Sequence, residues 1–165
     1  MERAIDVAHY IFDEYKKQSG EVIDEMKLHK LLYLSQRESI AITGEPLFAE
    51  KFEGWKYGPV CTTVRLHYTD DGIFANNLAN ISPESAYIVK SVILQYGAIE
   101  SWKLSEMSHK ELSWRNSRKG LSSDAYGNVP LSLDDIREDA KKIRPYDPIW
   151  DMYYDEFEDA EGMQA

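Results

Sequence analysis

One cysteine, Cys61, in a chain of 165 residues rules out an internal disulfide, and its expected role is that of a reduced, packed thiol. The four histidines (His9, His29, His67, His109) lie far apart, and neither CxxC nor HExxH occurs, so no metal set is legible. Walker A, the dinucleotide-binding glycine fingerprint and the G-x-S-x-G elbow are all missing, which removes the sequence signals for phosphate-loop, Rossmann and serine-hydrolase chemistry. No apolar run is long enough for a bilayer and no basic-then-apolar leader is visible, so the expectation is a cytoplasmic protein without a membrane partner. Basic residues stop at Arg144, and seven acids follow it: Asp147, Asp151, Asp155, Glu156, Glu158, Asp159 and Glu161. Of the net charge of −10, the part up to Arg144 therefore carries only about −3. A near-neutral body with an acidic end opposes a phosphate-tracking surface, making nucleic acid a poor partner and a basic or nucleotide-handling protein a better one.

What is present is helical periodicity. The length suits one domain that needs neither metal nor disulfide to fold. Ala4, Val7, Ala8, Ile11, Phe12 and Tyr15 fall on one helical face, with Gly20 as the stop. Asp24 is placed to cap a second helix whose Leu28, Leu31, Leu32 and Ser35 share a face, ending at Ile42 or Thr43 before Gly44 and Pro46. Phe52 to Trp55 reads as a short strand, Tyr57-Gly58-Pro59 as a turn, and Pro59 as the first residue of a helix over Val60 to Tyr68. Thr69 to Asn80 is a loop by composition, with Ile73, Phe74 and Leu78 expected to pin it to the core. Ser82-Pro83-Glu84 opens a helix that buries Val89, Val92, Ile93 and Tyr96 before Gly97, and a shorter helix runs from Ser101 to His109. Trp114 to Pro130 reads as the longest irregular stretch, and a strand between Leu121 and Leu131 is a candidate partner for the first one. Ser132 and Asp135 form a capping box for a further helix with Leu133, Ile136, Ala140 and Ile143 turned inward.

Residues 145–165 make a distinct tail. Asp147-Pro148 starts a helical pattern in which Ile149, Trp150, Tyr153, Tyr154 and Phe157 share a face opposite Asp151, Asp155 and Glu158. Each aromatic can bury about 150–250 Å², so this face is expected to dock, either on its own domain or on a partner. Trp150, Asp151, Tyr153, Tyr154, Asp155 and Phe157 are the candidate partner-binding residues, with aromatics to anchor and carboxylates to steer.

Candidate chemistry elsewhere is thin. His109 and Glu111, two apart on a helix, point to different faces and make a poor acid–base pair, so His109 is expected to order the loop to Trp114. Trp55, Tyr57, Gly58 and Pro59 admit two readings: a stacking pocket for a planar ligand, or a core tryptophan beside a turn, the structural reading being preferred. Lys27 and Lys30 are expected to snorkel round their own helix.

The order KLHKLLYLSQ, GEPLF, FEGWKYGPV and then LSEMSHKELSW resembles the Panacea domain, also called the SocA-like antitoxin domain. The matching residues are Lys27, Leu28, Lys30, Leu31, Leu32, Tyr33, Gln36, Gly44, Pro46, Leu47, Phe48, Trp55, Tyr57, Gly58, Pro59 and Val60, then Leu104, Ser105, His109, Glu111 and Trp114. The chain departs from the pattern at His29, Ser108 and Ser113. The resemblance implies a mainly α, single-domain fold over residues 1–144, of about five or six helices with a short β element, plus the acidic amphipathic C-terminal helix. Lys30, Tyr33, Trp55, Tyr57, Gly58, Pro59, His109 and Trp114 are then structural. The implied function is that of a bacterial or prophage antitoxin, a non-enzyme without cofactor that neutralises a cognate toxin by contact. The toxins of the family include nucleotide-transferring enzymes related to alarmone synthetases. The alternative the resemblance allows is a proteolytic adaptor that presents a toxin to an AAA+ protease, and a small-molecule enzyme is the weaker third reading.

Overall fold

A computed structural model describes residues 1–69 and 80–143 of the chain. Among them are seven helices and one β-hairpin: α1 (Ala4–Ser19), α2 (Glu25–Thr43), β1 (Glu53–Trp55), β2 (Gly58–Val60), α3 (Thr62–Thr69), α4 (Pro83–Tyr96), α5 (Ser101–Ser108), α6 (Leu112–Ser117) and α7 (Leu133–Lys141). The fold is mainly α, as the periodicities predict, with one helix more than the expected five or six. The loop residues Ile73, Phe74 and Leu78 and the tail from residue 145 lie outside the described residues.

Local signals placed the first two helices accurately. Gly20 and Gly44 adopt the left-handed conformation (φ 77° and 79°), and their N–H groups close the last turns on Lys16 O and Ile40 O. Asp24 caps α2 by accepting from Lys27 N at 2.8 Å. Ser82 and Ser132 cap α4 and α7 through Ser85 N and Asp135 N. In α7, Ile136 and Ala140 are buried as predicted, whereas Leu133 is exposed because the first turn lies at the rim.

The architecture is organised around α2, which packs on α1, α4, α5, α7 and β2. Its spacing suggests a one-sided amphipathic helix, yet every residue from Lys27 to Ile40 is buried. The apolar stripe packs into a core that includes Ile11, Phe48, Val64, Val92 and Leu104, with Tyr33 set edge-on to Phe52 at 5.6 Å. The opposite side carries polar residues that would be costly to bury unpaired. Gln36 shows how they are accommodated. Its Oε1 accepts from Leu47 N (2.7 Å) and Phe48 N (3.3 Å), while its Nε2 donates to Phe48 O (2.9 Å). The side chain thereby fixes the Gly44–Phe48 connection, whose Leu47 O accepts from Glu2 N at the start of the chain.

The hairpin differs from expectation. Pro59 does not open a helix: Gly58–Val60 is a strand paired antiparallel with β1, and α3 begins at Thr62. The register sets Pro59 opposite Gly54, between the Trp55–Gly58 and Glu53–Val60 pairs, where the alternating ladder asks no N–H of the proline. Gly54 N instead donates outward to Val129 O (3.0 Å), and Leu131 N to Phe52 O (2.8 Å). The segment expected to pair beside β1 thus does so, through a single bridge at Glu53–Pro130 rather than a full strand.

Replacing Gln36 by Ala strands three buried backbone groups, so equilibrium unfolding in urea should show a loss of about 2–4 kcal/mol. A loss below about 1 kcal/mol would mean that the loop holds its own conformation without this side chain.

Candidate functional site

The motif residues converge on the hairpin and the turn between α5 and α6. Lys30 Nζ donates to Pro59 O at 3.2 Å. Gly58, at φ 119°, lies so close that a Cβ there would sit 2.4 Å from Ser108 Oγ and 2.6 Å from Lys30 Cε. Ser105 Oγ donates to Tyr57 O (2.6 Å), and Trp114 Nε1 to Trp55 O (2.8 Å). His109 stacks on Trp114 with ring centroids 4.1 Å apart and planes within 10°. Burial, then the charge of Lys30, holds the His109 pKa below its ordinary value. Trp55 is half-buried, not a core tryptophan: its ring meets the Arg65 guanidinium at 5.2 Å and Tyr126 at 5.8 Å.

Tyr33 stands apart from this group, in a polar cluster beneath α6. Its hydroxyl lies 3.2 Å from Glu111 Oε2, 3.0 Å from Ser113 Oγ and 3.2 Å from Asp139 Oδ2. Glu111 also bonds Arg37, whose Nη2 reaches Tyr96 Oη at 3.2 Å. Burial raises the Glu111 pKa against the pull of Arg37. His109 and Glu111 therefore serve different neighbours and form no acid–base pair.

Lys27 and Lys30 do not snorkel. Both are buried, since α2 is enclosed, and nearby carbonyls take the place of water: Lys27 Nζ donates to Gly97 O at 2.8 Å. Burial lowers the Lys30 pKa to about 8.

Two important residues carried no signal in the sequence. Asp139, 2% exposed in the last turn of α7, accepts from Leu112 N (2.8 Å) and Ser113 N (3.0 Å), and so caps α6 from a distance. Without a local Ser, Thr, Asp or Asn cap, α6 read as the start of an irregular stretch. Arg118 donates to Gly54 O (3.1 Å), Ser122 O (3.1 Å) and Ala125 O (2.8 Å), with its guanidinium 5.6 Å from the Trp114 ring centroid. It holds the 121–127 loop on the hairpin, and Gly127 is required there because a Cβ would lie 2.4 Å from Gly54 O.

Between this loop, the hairpin turn and the first turns of α2 lies a cavity of about 440 Å³. Lys30, His29, Trp55 and Tyr126 line it, and Arg65 and Lys56 stand at its edge. Arg65 pairs with Glu25 (2.6 Å) and Lys56 with Asp124 (3.5 Å). Among the described residues, no group of three or more His, Cys, Asp or Glu is placed to hold a metal ion, and no helix is long and apolar enough to cross a membrane. The candidate partner-binding residues Trp150, Asp151, Tyr153, Tyr154, Asp155 and Phe157 lie outside the described residues.

Two outcomes follow from this geometry. In Arg118→Met the 121–127 loop loses its anchors, so hydrogen exchange there should accelerate while amides in α1 and α2 keep their protection. Unchanged loop protection would show that the arginine is dispensable. For Lys30, the folded pKa of about 8 lies below the ordinary 10.5. Between these values the unfolded chain binds more protons, and stability rises with pH; the penalty for burying the charge is full below the window and gone above it. Urea titrations at about pH 7.5 and 10 should show wild type gaining on the order of 2–3 kcal/mol relative to Lys30→Met. Cys61 and the buried tyrosines titrate in both proteins and cancel, so a difference that stays constant with pH would refute the assignment.

Comparison with known proteins adds one finding. The family described as antitoxin SocA-like, Panacea domain, matches residues 28–115, which run from the first turn of α2 through the hairpin to α6. No curated protein and no solved structure matches. The match covers more than half of the chain and takes in both motif blocks apart from Lys27, and its family supports an antitoxin role with a toxin as partner. The chain belongs to the SocA-like antitoxin, Panacea domain family.

Proposed function

We propose that this protein is the antitoxin of a bacterial or prophage toxin–antitoxin pair, and that it neutralises its toxin by binding it directly and blocking the toxin's active site. The family match over residues 28–115 carries this reading. The role is one of binding rather than catalysis, exercised in the cytoplasm. Two features support it. The motif residues engage one another within the fold, Lys30 holding Pro59 O, Trp114 the carbonyl of Trp55 and His109 stacking on Trp114, so these contacts build a frame. The charge distribution of the sequence, with its acids concentrated beyond Arg144, suits a basic or nucleotide-handling partner. A nucleotide-transferring translation inhibitor of the alarmone-synthetase type handles nucleotides and is the toxin class we favour.

The acidic aromatic tail, residues 145–165, is one contact surface in this proposal, with Trp150, Tyr153, Tyr154 and Phe157 as anchors and Asp151 and Asp155 as steering charges.

Co-expression with the adjacent open reading frame tests the reading. The neighbour should arrest growth alone, be harmless beside this chain and co-purify with it. Rescue without a complex, accompanied by loss of the neighbour's protein only in cells containing an AAA+ protease, would replace direct neutralisation with delivery to the protease. Deleting Tyr146 to Ala165 should weaken toxin binding while leaving the protein folded, and unchanged affinity and neutralisation would remove the tail from the interface.

A further inference from the structure

The cavity at the head of α2 combines the motif residues Lys30, Trp55, Tyr57 and Val60 with His29, where the chain departs from the family pattern, and with Tyr126, which lies outside the motifs. At about 440 Å³ it lies within the range of small-molecule sites, roughly 300–1,000 Å³. Two buried donors face it with hydrogen-bonding capacity to spare. His29, 2% exposed, accepts from Cys61 N through Nδ1 at 3.3 Å. Burial keeps the ring neutral, and with Nδ1 acting as acceptor the proton resides on Nε2. Among the described residues that atom has no hydrogen-bond partner, the Glu25 carboxylate standing 3.7 Å away. An orphaned N–H this deep in a protein marks a position where an acceptor belongs. Lys30, also 2% exposed, spends one of its three ammonium hydrogens on Pro59 O and makes no ion pair among the described residues.

The remaining charges at the edge are already compensated. Arg65 is held by Glu25 and Lys56 by Asp124, which leaves Lys30 as the cation on this cavity without a carboxylate partner among the described residues. A single net positive charge, flanked by one neutral donor, suits a monoanion such as a carboxylate better than a doubly charged phosphate. The wall above these donors is aromatic. Trp55 and Tyr126 lie 5.8 Å apart at 58°, a separation too small to admit a ring between them, so a planar group is received against their surface. Tyr126 is 71% exposed on the loop that Arg118 fastens down, leaving much of its ring uncovered.

We propose that this cavity is a binding site for a small planar aromatic carboxylate, whose ring lies on Trp55 and Tyr126 and whose carboxylate accepts hydrogen bonds from Lys30 Nζ and His29 Nε2. The site goes beyond the antitoxin reading and is independent of it: it involves no toxin, and either can fail without the other.

Calorimetric titration of the full chain with 2-naphthoate tests it, with 2-naphthylmethanol as the uncharged counterpart and tryptophan emission as a second readout. The acid should bind saturably with one site per chain and perturb the emission, while the alcohol binds at least roughly tenfold more weakly for want of the charged hydrogen bonds. Lys30→Met should weaken naphthoate by a similar factor. Tyr126→Ala, at an exposed loop position that the fold tolerates, should weaken it several-fold and leave the urea midpoint in place, so the proposal remains testable if Lys30→Met does not fold. No saturable binding up to about 1 mM would overturn the proposal. Equal affinity for acid and alcohol would do the same, as would an affinity unmoved in Tyr126→Ala.

Discussion

Polar side chains on a helix enclosed by neighbours on every side are costly unless they find partners where they lie, and that constraint on α2 shapes the rest of the molecule. Gln36 is satisfied by the backbone of Leu47 and Phe48, Lys27 by Gly97, Lys30 by Pro59, and Arg37 by Glu111 and Tyr96. The four directions are different. One partner is the connection after the helix, another the end of α4, a third the hairpin, and the last lies beside α6. An apolar helix of the same shape would bury as much surface, but hydrophobic contact is non-directional and fixes no register. Here the bonds of Gln36, Lys27, Lys30 and Arg37 each name a particular neighbour, so those segments are positioned by the cost of leaving a buried donor or acceptor unmet.

The same logic extends outward from the helix. Arg118 fastens a loop to the hairpin through three carbonyl oxygens, and Asp139 completes a helix that has no cap of its own. Glu50 does likewise for α1, accepting from Ala4 N at 2.8 Å where Arg3 offers no side-chain cap. The hairpin and the α5–α6 turn are therefore held by groups that lie far from them in sequence, while Arg118 ties its own neighbouring loop to the distant hairpin.

That arrangement explains what could and could not be read from the chain. Helix ends marked by adjacent residues, such as Asp24, Gly20, Gly44 and Ser82, were legible because the cap and the orphaned groups it satisfies are neighbours in sequence. The start of α6 was not, because its cap lies in α7. Pro59 was misread as a helix opener because a proline is equally acceptable at a non-hydrogen-bonded ladder position, and only the register with Gly54 decides between the two. The burial of Lys27 and Lys30 was illegible for a related reason: whether a lysine reaches water depends on how many elements surround its helix, and sequence periodicity reports one face at a time. The motif residues around the hairpin stand out in the sequence, but the two donors on its cavity, His29 and Lys30, acquire meaning only once Trp55 and Tyr126 are seen above them.

Most of the partners in this framework are main-chain atoms. Gly97 O, Pro59 O, Trp55 O, Gly54 O, Ser122 O and Ala125 O accept the key bonds, and Leu47 N, Phe48 N, Leu112 N and Ser113 N donate them. Every residue type supplies a carbonyl, and all but proline supply an N–H. Where such a position is also exposed, as at Ser122, the side chain is free to drift as long as the backbone path is kept, whereas Phe48 and Gly54 are held by packing as well. A frame anchored in this way separates inheritance of the fold from inheritance of the surface, and divergence can proceed on one without eroding the other.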